Sequence, residues 1–299
     1  MTVIKKVFRR ILLIFIFANG LSCKIADISQ TSNLSAIKSE QIAMQKLEET
    51  ITKQGFLIMK EKKLYQFEAV DDWRGFLGGL AKIWPDRKTR FLFKHNFNTF
   101  DGIATFLDGK RSGDTIGVQS WVYYEKNPET SLYKNMDTPN KFNKLEFGMV
   151  IFHYFLELPY RLRNAPIKRY YGKRTNKGIT YDLVFATWGT ETANKEFDQY
   201  ILWINSETKL VDYCVYTLRD NNNPFTRQKY GSIAYLNYKD IEGVKIPFKM
   251  PILLDDGVLS KPSLDKYFHQ FSIEHFSFGG YSESELYPFS KIQKQGDKK

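Results

Sequence analysis

The sequence predicts an α+β protein built on one large antiparallel β-sheet. Two observations carry that reading. Short segments of strand-like character recur from residue 62 to residue 278, joined by turn residues, with helical spacing breaking in only twice among them. Aromatic residues make up 16% of the 299 residues, including 24 Phe and 18 Tyr, which is ample material for a sheet with a packed face.

The chain opens on an export signal. Lys5, Lys6, Arg9 and Arg10 lead into the apolar run Ile11–Ala18, and small residues follow to Gly20-Leu21-Ser22-Cys23. The run is too short to span a bilayer comfortably. The Leu-Ser-Cys ending resembles a bacterial lipobox, which implies that Cys23 becomes the lipid-bearing first residue of the mature protein. Gly20 stands where the usual motif has an aliphatic residue. Conventional cleavage between Ala18 and Ser22 is the alternative, and it leaves Cys23 a spare thiol. Removing residues 1–22 takes away four basic and no acidic residues. Of the 44 Lys and Arg, 40 remain against 33 Asp and Glu, so the mature chain carries about +7. Apart from Lys168-Arg169 and Lys173-Arg174 this charge is scattered, which argues against a nucleic-acid partner.

Residues 23–37 are polar and Ser-rich and read as a flexible tether after the lipidated cysteine. The folded body is expected as a single domain over 38–290, with a disordered tail over 291–299. Ile42, Met44, Leu47 and Ile51 give residues 38–54 an amphipathic helical pattern that Gly55 ends. Strands are expected over Lys62–Ala69, Lys88–Phe97, Phe100–Leu107, Thr115–Tyr124 and Ile179–Trp188. The clearest hairpin joins Gln199–Asn205 to Leu210–Leu218 through Ser206-Glu207-Thr208. Ser232–Lys239 and Lys245–Met250 flank a turn at Glu242-Gly243, and His269–Phe278 closes the set. Two segments interrupt the strands with helical spacing. Asp72–Ile83 carries Trp73, Phe76, Leu77, Leu80 and Ile83, and Lys144–Arg163 is apolar from Phe147 to Leu156 before Pro159. The second is too short to span a membrane and is expected to pack on the sheet.

No phosphate loop, nucleophile elbow or His-Glu-x-x-His zinc motif occurs. His95 and His153 stand alone in sequence and read as ordinary residues. His269 and His275 share a strand and a face but sit roughly 20 Å apart at about 3.3 Å per residue, too far for one ion. Asp71-Asp72 and Asp255-Asp256 read as turn residues. Cys214, in the strand-like run Val211–Tyr216, reads as a small buried apolar side chain. The expectation is therefore no enzyme, no cofactor and no metal. The positive signal is apolar. Tyr200, Leu202 and Ile204 alternate with Ile201 and Trp203, so this strand has apolar residues on both faces. Such a strand is either buried twice over or lines an apolar groove.

Phe185-Ala186-Thr187-Trp188-Gly189, Asp198–Asn205, Tyr216-Thr217-Leu218-Arg219-Asp220, Gly243-Val244-Lys245-Ile246-Pro247-Phe248 and Leu286-Tyr287-Pro288 carry a wider likeness. With the lipobox, the first helix, the hairpins and the two inserted helices, the chain resembles the LolA/LolB-like lipoprotein-carrier half-barrel superfamily. Within it the chain is most similar to uncharacterised secreted bacterial lipoproteins. The resemblance implies a curved sheet with helices on its concave side and an apolar cavity that in related carriers holds acyl chains. Trp121, Phe185, Tyr200, Leu202, Trp203 and Tyr216 are the residues expected to line it. The expected partners are a lipid or other hydrophobic molecule and, through the anchor, a membrane; a protein partner is unspecified. The residue after Cys23 is Lys24, and by resemblance to bacterial sorting signals this favours the periplasmic face of the outer membrane, with surface exposure open. The alternative is a structural or protein-interaction lipoprotein whose core is filled.

Several acyl chains on one residue give stable membrane retention, where one is marginal. Cys23→Ser is expected to leave the protein unprocessed or unanchored. Fractionation after salt washing checks this, and a signal-free Cys23→Ser chain that stays with membranes would contradict lipidation.

Overall fold

The computed structural model describes residues 25–129, 134–135, 144–219, 230–255 and 267–289. The export signal, Cys23 and the tail over 291–299 lie outside the described residues. Two helices come first, α1 (Ala36–Gln54) and α2 (Phe56–Lys62). The Ser35 side chain accepts from the Lys38 N–H at the start of α1, and Gly55, at φ 82°, ends it. Ala43, Leu47 and Ile51, each four residues on from the last, form its buried stripe.

Among the described residues, fourteen strands form one antiparallel sheet whose path explains the architecture. β1 (Leu64–Trp73) lies at its centre, followed by the short helix α3 (Gly75–Ala81). β2 (Lys88–Asn96), β3 (Gly102–Phe106), β4 (Thr115–Gln119), β5 (Val122–Lys126) and β6 (Lys134–Asn135) then step out to one edge. Helix α4 (Lys144–Leu162) follows, and the chain re-enters the sheet at the opposite edge as β7 (Ile167–Asn176). β8 (Ile179–Thr187), β9 (Gln199–Asn205), β10 (Val211–Thr217) and β11 (Tyr230–Ala234) step inward, and β12 (Leu236–Ile241) folds back on β13 (Val244–Asp255). β14 (His269–Phe278) completes the circuit by pairing with β13 and β1. The sheet is open, with β6 and β7 at its two ends. The expected α+β half-barrel with helices on its concave side is the architecture found.

That side is one continuous core. α1 contributes Ala43, Leu47 and Ile51, and α4 contributes Met149, Phe152, Phe155, Leu156, Leu158 and Leu162. They meet Phe67 of β1, Phe91 and Phe93 of β2, Phe106 of β3 and Phe271 of β14. Phe67 and Phe93 face each other in register with ring centroids 4.7 Å apart, and Phe93 lies 4.5 Å from Phe152. Each such ring buries a large apolar area on an interlocking geometry.

Several elements differ from expectation. Thr115–Tyr124 is two strands, because the chain reverses at Ser120-Trp121 with both φ values positive, 50° and 65°. Asp71 and Asp72 lie within β1 rather than in a turn. α4 continues past Pro159 to Leu162. A register shift opposite Glu68/Ala69 puts a bulge in β14 near Glu274. It reverses the alternation, so His269 is buried and His275 exposed instead of sharing a face. Helix α3 is shorter than Asp72–Ile83, and its Phe76, Leu77 and Leu80 are exposed rather than packed inward. The segment after residue 24 is not slack. Ile28 is buried on the convex back of the sheet with Tyr181, Leu183, Phe185, Ile201, Trp203 and Val215. Its N–H donates to Gln199 Oε1 at 3.0 Å, and Arg219 donates to the Ala26 carbonyl.

The β12–β13 hairpin turns at Glu242-Gly243 with φ values of 52° and 85°. A Cβ on Gly243 would lie 2.9 Å from Ile58 Cδ1 of α2. Gly243→Val is expected to cost about 1–3 kcal/mol, the penalty for a β-branched residue in the left-handed region. A melting curve checks this, and an unchanged Tm would contradict it.

Candidate functional site

The concave face is where the sheet gathers apolar side chains, and α4 crosses it. Strand alternation decides which of the expected cavity residues reach it. Leu202 does, wholly buried in the core, and Tyr200 and Tyr216, paired across β9 and β10, lie half-buried beside it. Trp121 joins from the β4–β5 turn. Phe185 and Trp203 do not. Trp203 follows Leu202 and so points the other way. Phe185 stands opposite Ile201, so it shares that outer face. Both are buried on the convex side, beneath the segment that carries Ile28. Apolar residues on both parities of β9 therefore reflect two covered faces.

The half-buried residues form an aromatic file along the rim of the core. Trp121 stacks on Phe100 at 5.0 Å, Phe100 meets Tyr154 of α4 at 5.6 Å, Tyr154 meets Tyr200 at 6.3 Å, and Tyr200 meets Trp188 at 6.1 Å. The file runs from the β4–β5 turn, over α4, to β9 and the end of β8. Phe100 and Trp121 both hold positive φ, 61° and 65°. For bulky residues that conformation is costly, and it concentrates at functional positions. Val150 and Ile151 of α4 lie half-buried against the same core.

Two polar groups lie in this core. The Asp71 carboxylate accepts both indole N–H groups, from Trp73 at 2.9 Å and Trp84 at 3.0 Å, and bonds His269 through its other oxygen. The His269 ring stacks on Trp73 at 3.8 Å. The second group gathers Tyr65, His95, His153, Glu157 and Arg161. His95 and His153, solitary in sequence, stack ring on ring with centroids 3.8 Å apart. Burial holds both imidazoles well below the ordinary histidine range, so both are neutral at neutral pH. Neither group is contiguous in sequence, because β1, β2, β14 and α4 bring them together across the sheet. The one available signal was polar residues at inward positions of strands, at Asp71 and His95.

Other features fall away. Cys214 is fully buried and burial raises its thiol pKa, so it is no nucleophile. Arg169 pairs with Glu191 and Glu40, and Lys173 with Asp182, so acids face these bases of β7. A depression of about 590 Å³ lies on the solvent side of α1, lined by Gln45, Glu48, Glu49, Thr52, Lys53 and Lys209. It is charged and open, unlike the concave face.

No protein-family model matches the chain, and no curated protein matches it. Solved structures do. A DUF1329 family protein from Desulfovibrio piger aligns with a TM-score of 0.54 at 10% identity, over 84% of this chain and 98% of that one. A putative outer membrane lipoprotein-sorting protein domain from Vibrio parahaemolyticus gives 0.51 at 8% identity, over 85% and 97%. A LolA superfamily protein from Nitrosomonas europaea gives 0.49 at 10%, over 83% and 97%. At such identities the first two likenesses concern the fold alone, and that fold is the LolA/LolB-like half-barrel.

Leu202 has no exposed surface. Leu202→Glu is expected to cost several kcal/mol by burying an unpaired charge, enough to unfold a marginal domain. A urea titration checks it, and a midpoint near that of the wild type would show an accessible cavity at this residue.

Proposed function

We propose that this chain, a LolA/LolB-like half-barrel, is a bacterial envelope lipoprotein that binds a lipid or other hydrophobic molecule along the rim of its concave face. The reading rests on the aromatic file from Trp121 through Tyr154 to Trp188. Four of its five rings are half-buried, and they are continuous with the phenylalanine-rich core beneath. Hydrophobic-ligand sites combine such apolar walls with few polar groups. Anchoring comes from lipidation of Cys23, and the periplasmic face of the outer membrane is the location that Lys24 favours. No helix among the described residues is long and apolar enough to cross a membrane. The ligand sits beside the middle of α4, at Val150, Ile151 and Tyr154, because the centre of the concave face is filled by Phe152 and Phe155.

A second reading has its own observation. α4 packs into the core with buried side chains, while α3 presents Phe76, Leu77 and Leu80 at 78%, 53% and 71% exposure. A filled core with an exposed apolar helix suits an interaction protein.

Native mass spectrometry of the mature protein separates the two. The first reading expects co-purified lipid, and expects Tyr154→Glu to keep the wild-type circular dichroism and lose that lipid. A wild-type protein without lipid, which also fails to bind a fluorescent fatty acid after delipidation, would leave the interaction reading standing.

A further inference from the structure

The Tyr65–His95–His153–Glu157–Arg161 group is more than a set of satisfied core residues. Arg161 Nε donates to Glu157 Oε2 at 2.7 Å, and its Nη2 donates to the Phe97 carbonyl at 2.6 Å. Tyr65 donates to Glu157 Oε1 and receives from His95 Nδ1 at 2.9 Å. Those bonds leave out part of the group. Neither ring nitrogen of His153 has a hydrogen-bond partner, and neither has His95 Nε2, although both residues are wholly buried. The closest approach of His153 to a carboxylate is 3.5 Å, from Nδ1 to Glu157 Oε1. Buried donors and acceptors are nearly always satisfied, so three orphaned nitrogens on two touching imidazoles require a cause.

We propose that His95, His153 and Glu157 form a buried site for a divalent transition-metal ion of the zinc class. One ligand atom from each lies within 4.8 Å of the others. Ligand atoms around tetrahedral zinc stand roughly 3.3 Å apart, so binding draws the group together by at most about 1.5 Å and turns the two stacked rings so that their in-plane lone pairs meet the ion. The donor set is two neutral imidazoles and one carboxylate, which suits zinc and its neighbours and not the hard, oxygen-seeking calcium or magnesium. The remaining members act as orienting groups. Arg161 holds Oε2 of Glu157, which leaves Oε1 on the side of the imidazoles, and Tyr65 fixes that oxygen and the His95 ring together. His153 and Glu157 are one turn apart on α4 while His95 is on β2, so the ion would tie the helix to the sheet. Because the site is closed, metal enters as the chain folds.

The untagged mature chain, refolded with zinc chloride or with EDTA and then desalted, tests this. The expected result is about one zinc per chain by elemental mass spectrometry and a higher Tm for the zinc-refolded sample. His153→Phe keeps the ring against Phe100, 4.2 Å away in the wild type. It is expected to hold no zinc and to melt at the same temperature either way. Cobalt substitution reports the donors without any variant, and d–d bands free of thiolate charge transfer are expected. The proposal is overturned by a folded wild type that retains only trace zinc with a zinc-independent Tm, by a His153→Phe protein that retains the wild-type amount, or by a charge-transfer band that puts the ion on a cysteine.

Discussion

The packing of α4 into the concave face is the contact on which the rest of the structure depends. The sheet is a circuit cut at β6 and β7, and among the described residues its two arms join where β1 pairs with β14. A sheet so long and open gains little from its edges. Phe152 lies over the join, 4.5 Å from Phe93 of β2 and 5.1 Å from Phe271 of β14, with Phe155 at 5.6 Å from Phe271. One helix thus packs on both arms, and the same helix is the connection between the two edges. Large interlocked rings make this contact strong and also shape-specific.

Apolar packing alone fixes a helix poorly along its own axis, since rings slide past rings at modest cost. The polar groups supply what the rings lack. Arg161 reaches the Phe97 carbonyl and the carboxylate of Glu157 on its own helix. Tyr65 ties that carboxylate to β1. A shift of α4 by one turn would break the bonds to Tyr65 and to the Phe97 carbonyl and leave the Arg161–Glu157 pair, which moves with the helix, without these partners in a dry core, which is far more costly than the loss of a surface pair. Asp71 acts likewise beneath the aromatic floor, where two indoles and an imidazole converge on one carboxylate. A core that carries such groups is held in one arrangement.

The sequence made the fold class legible because its signals are local. Ser35 and Gly55 bracket α1, Ser206-Glu207-Thr208 joins β9 to β10, and Glu242-Gly243 turns β12 into β13. Features that depend on partners were not legible. The reversal at Ser120-Trp121 uses no glycine or asparagine to announce its positive φ. β7 carries Lys168, Arg169, Lys173 and Arg174, so its polarity hid it. α3 showed helical apolar spacing, yet Gly78 pins it with a Cβ position 2.5 Å from the Phe268 carbonyl, and its large residues face outward. The candidate site was half legible. Tyr200, Leu202, Tyr216 and Trp121 belong to the concave side, but Phe185 and Trp203 needed knowledge of what covers the back of the sheet. The clustering of His95 with His153 needed the tertiary fold itself.

A lipid anchor at Cys23, as proposed, would lie close in sequence to that cover on the back of the sheet. The Ala26 carbonyl is already bonded to the buried Arg219, and Ile28 is packed under β8 and β9. Asp27 accepts from Gln199 at 3.0 Å, which fixes the same stretch from its other side. On the proposal that Cys23 carries the lipid, only two residues, Lys24 and Ile25, separate the anchor from Ala26. Three Cα-to-Cα steps, at no more than about 3.6 Å each, reach roughly 11 Å. A body held that close would have few orientations open to it, and the convex side, where Ile28 packs, would be the side nearest the bilayer. On that proposal the segment that reads as a tether in the sequence would act as a short strap, because Ile28 is already packed on the convex back of the sheet.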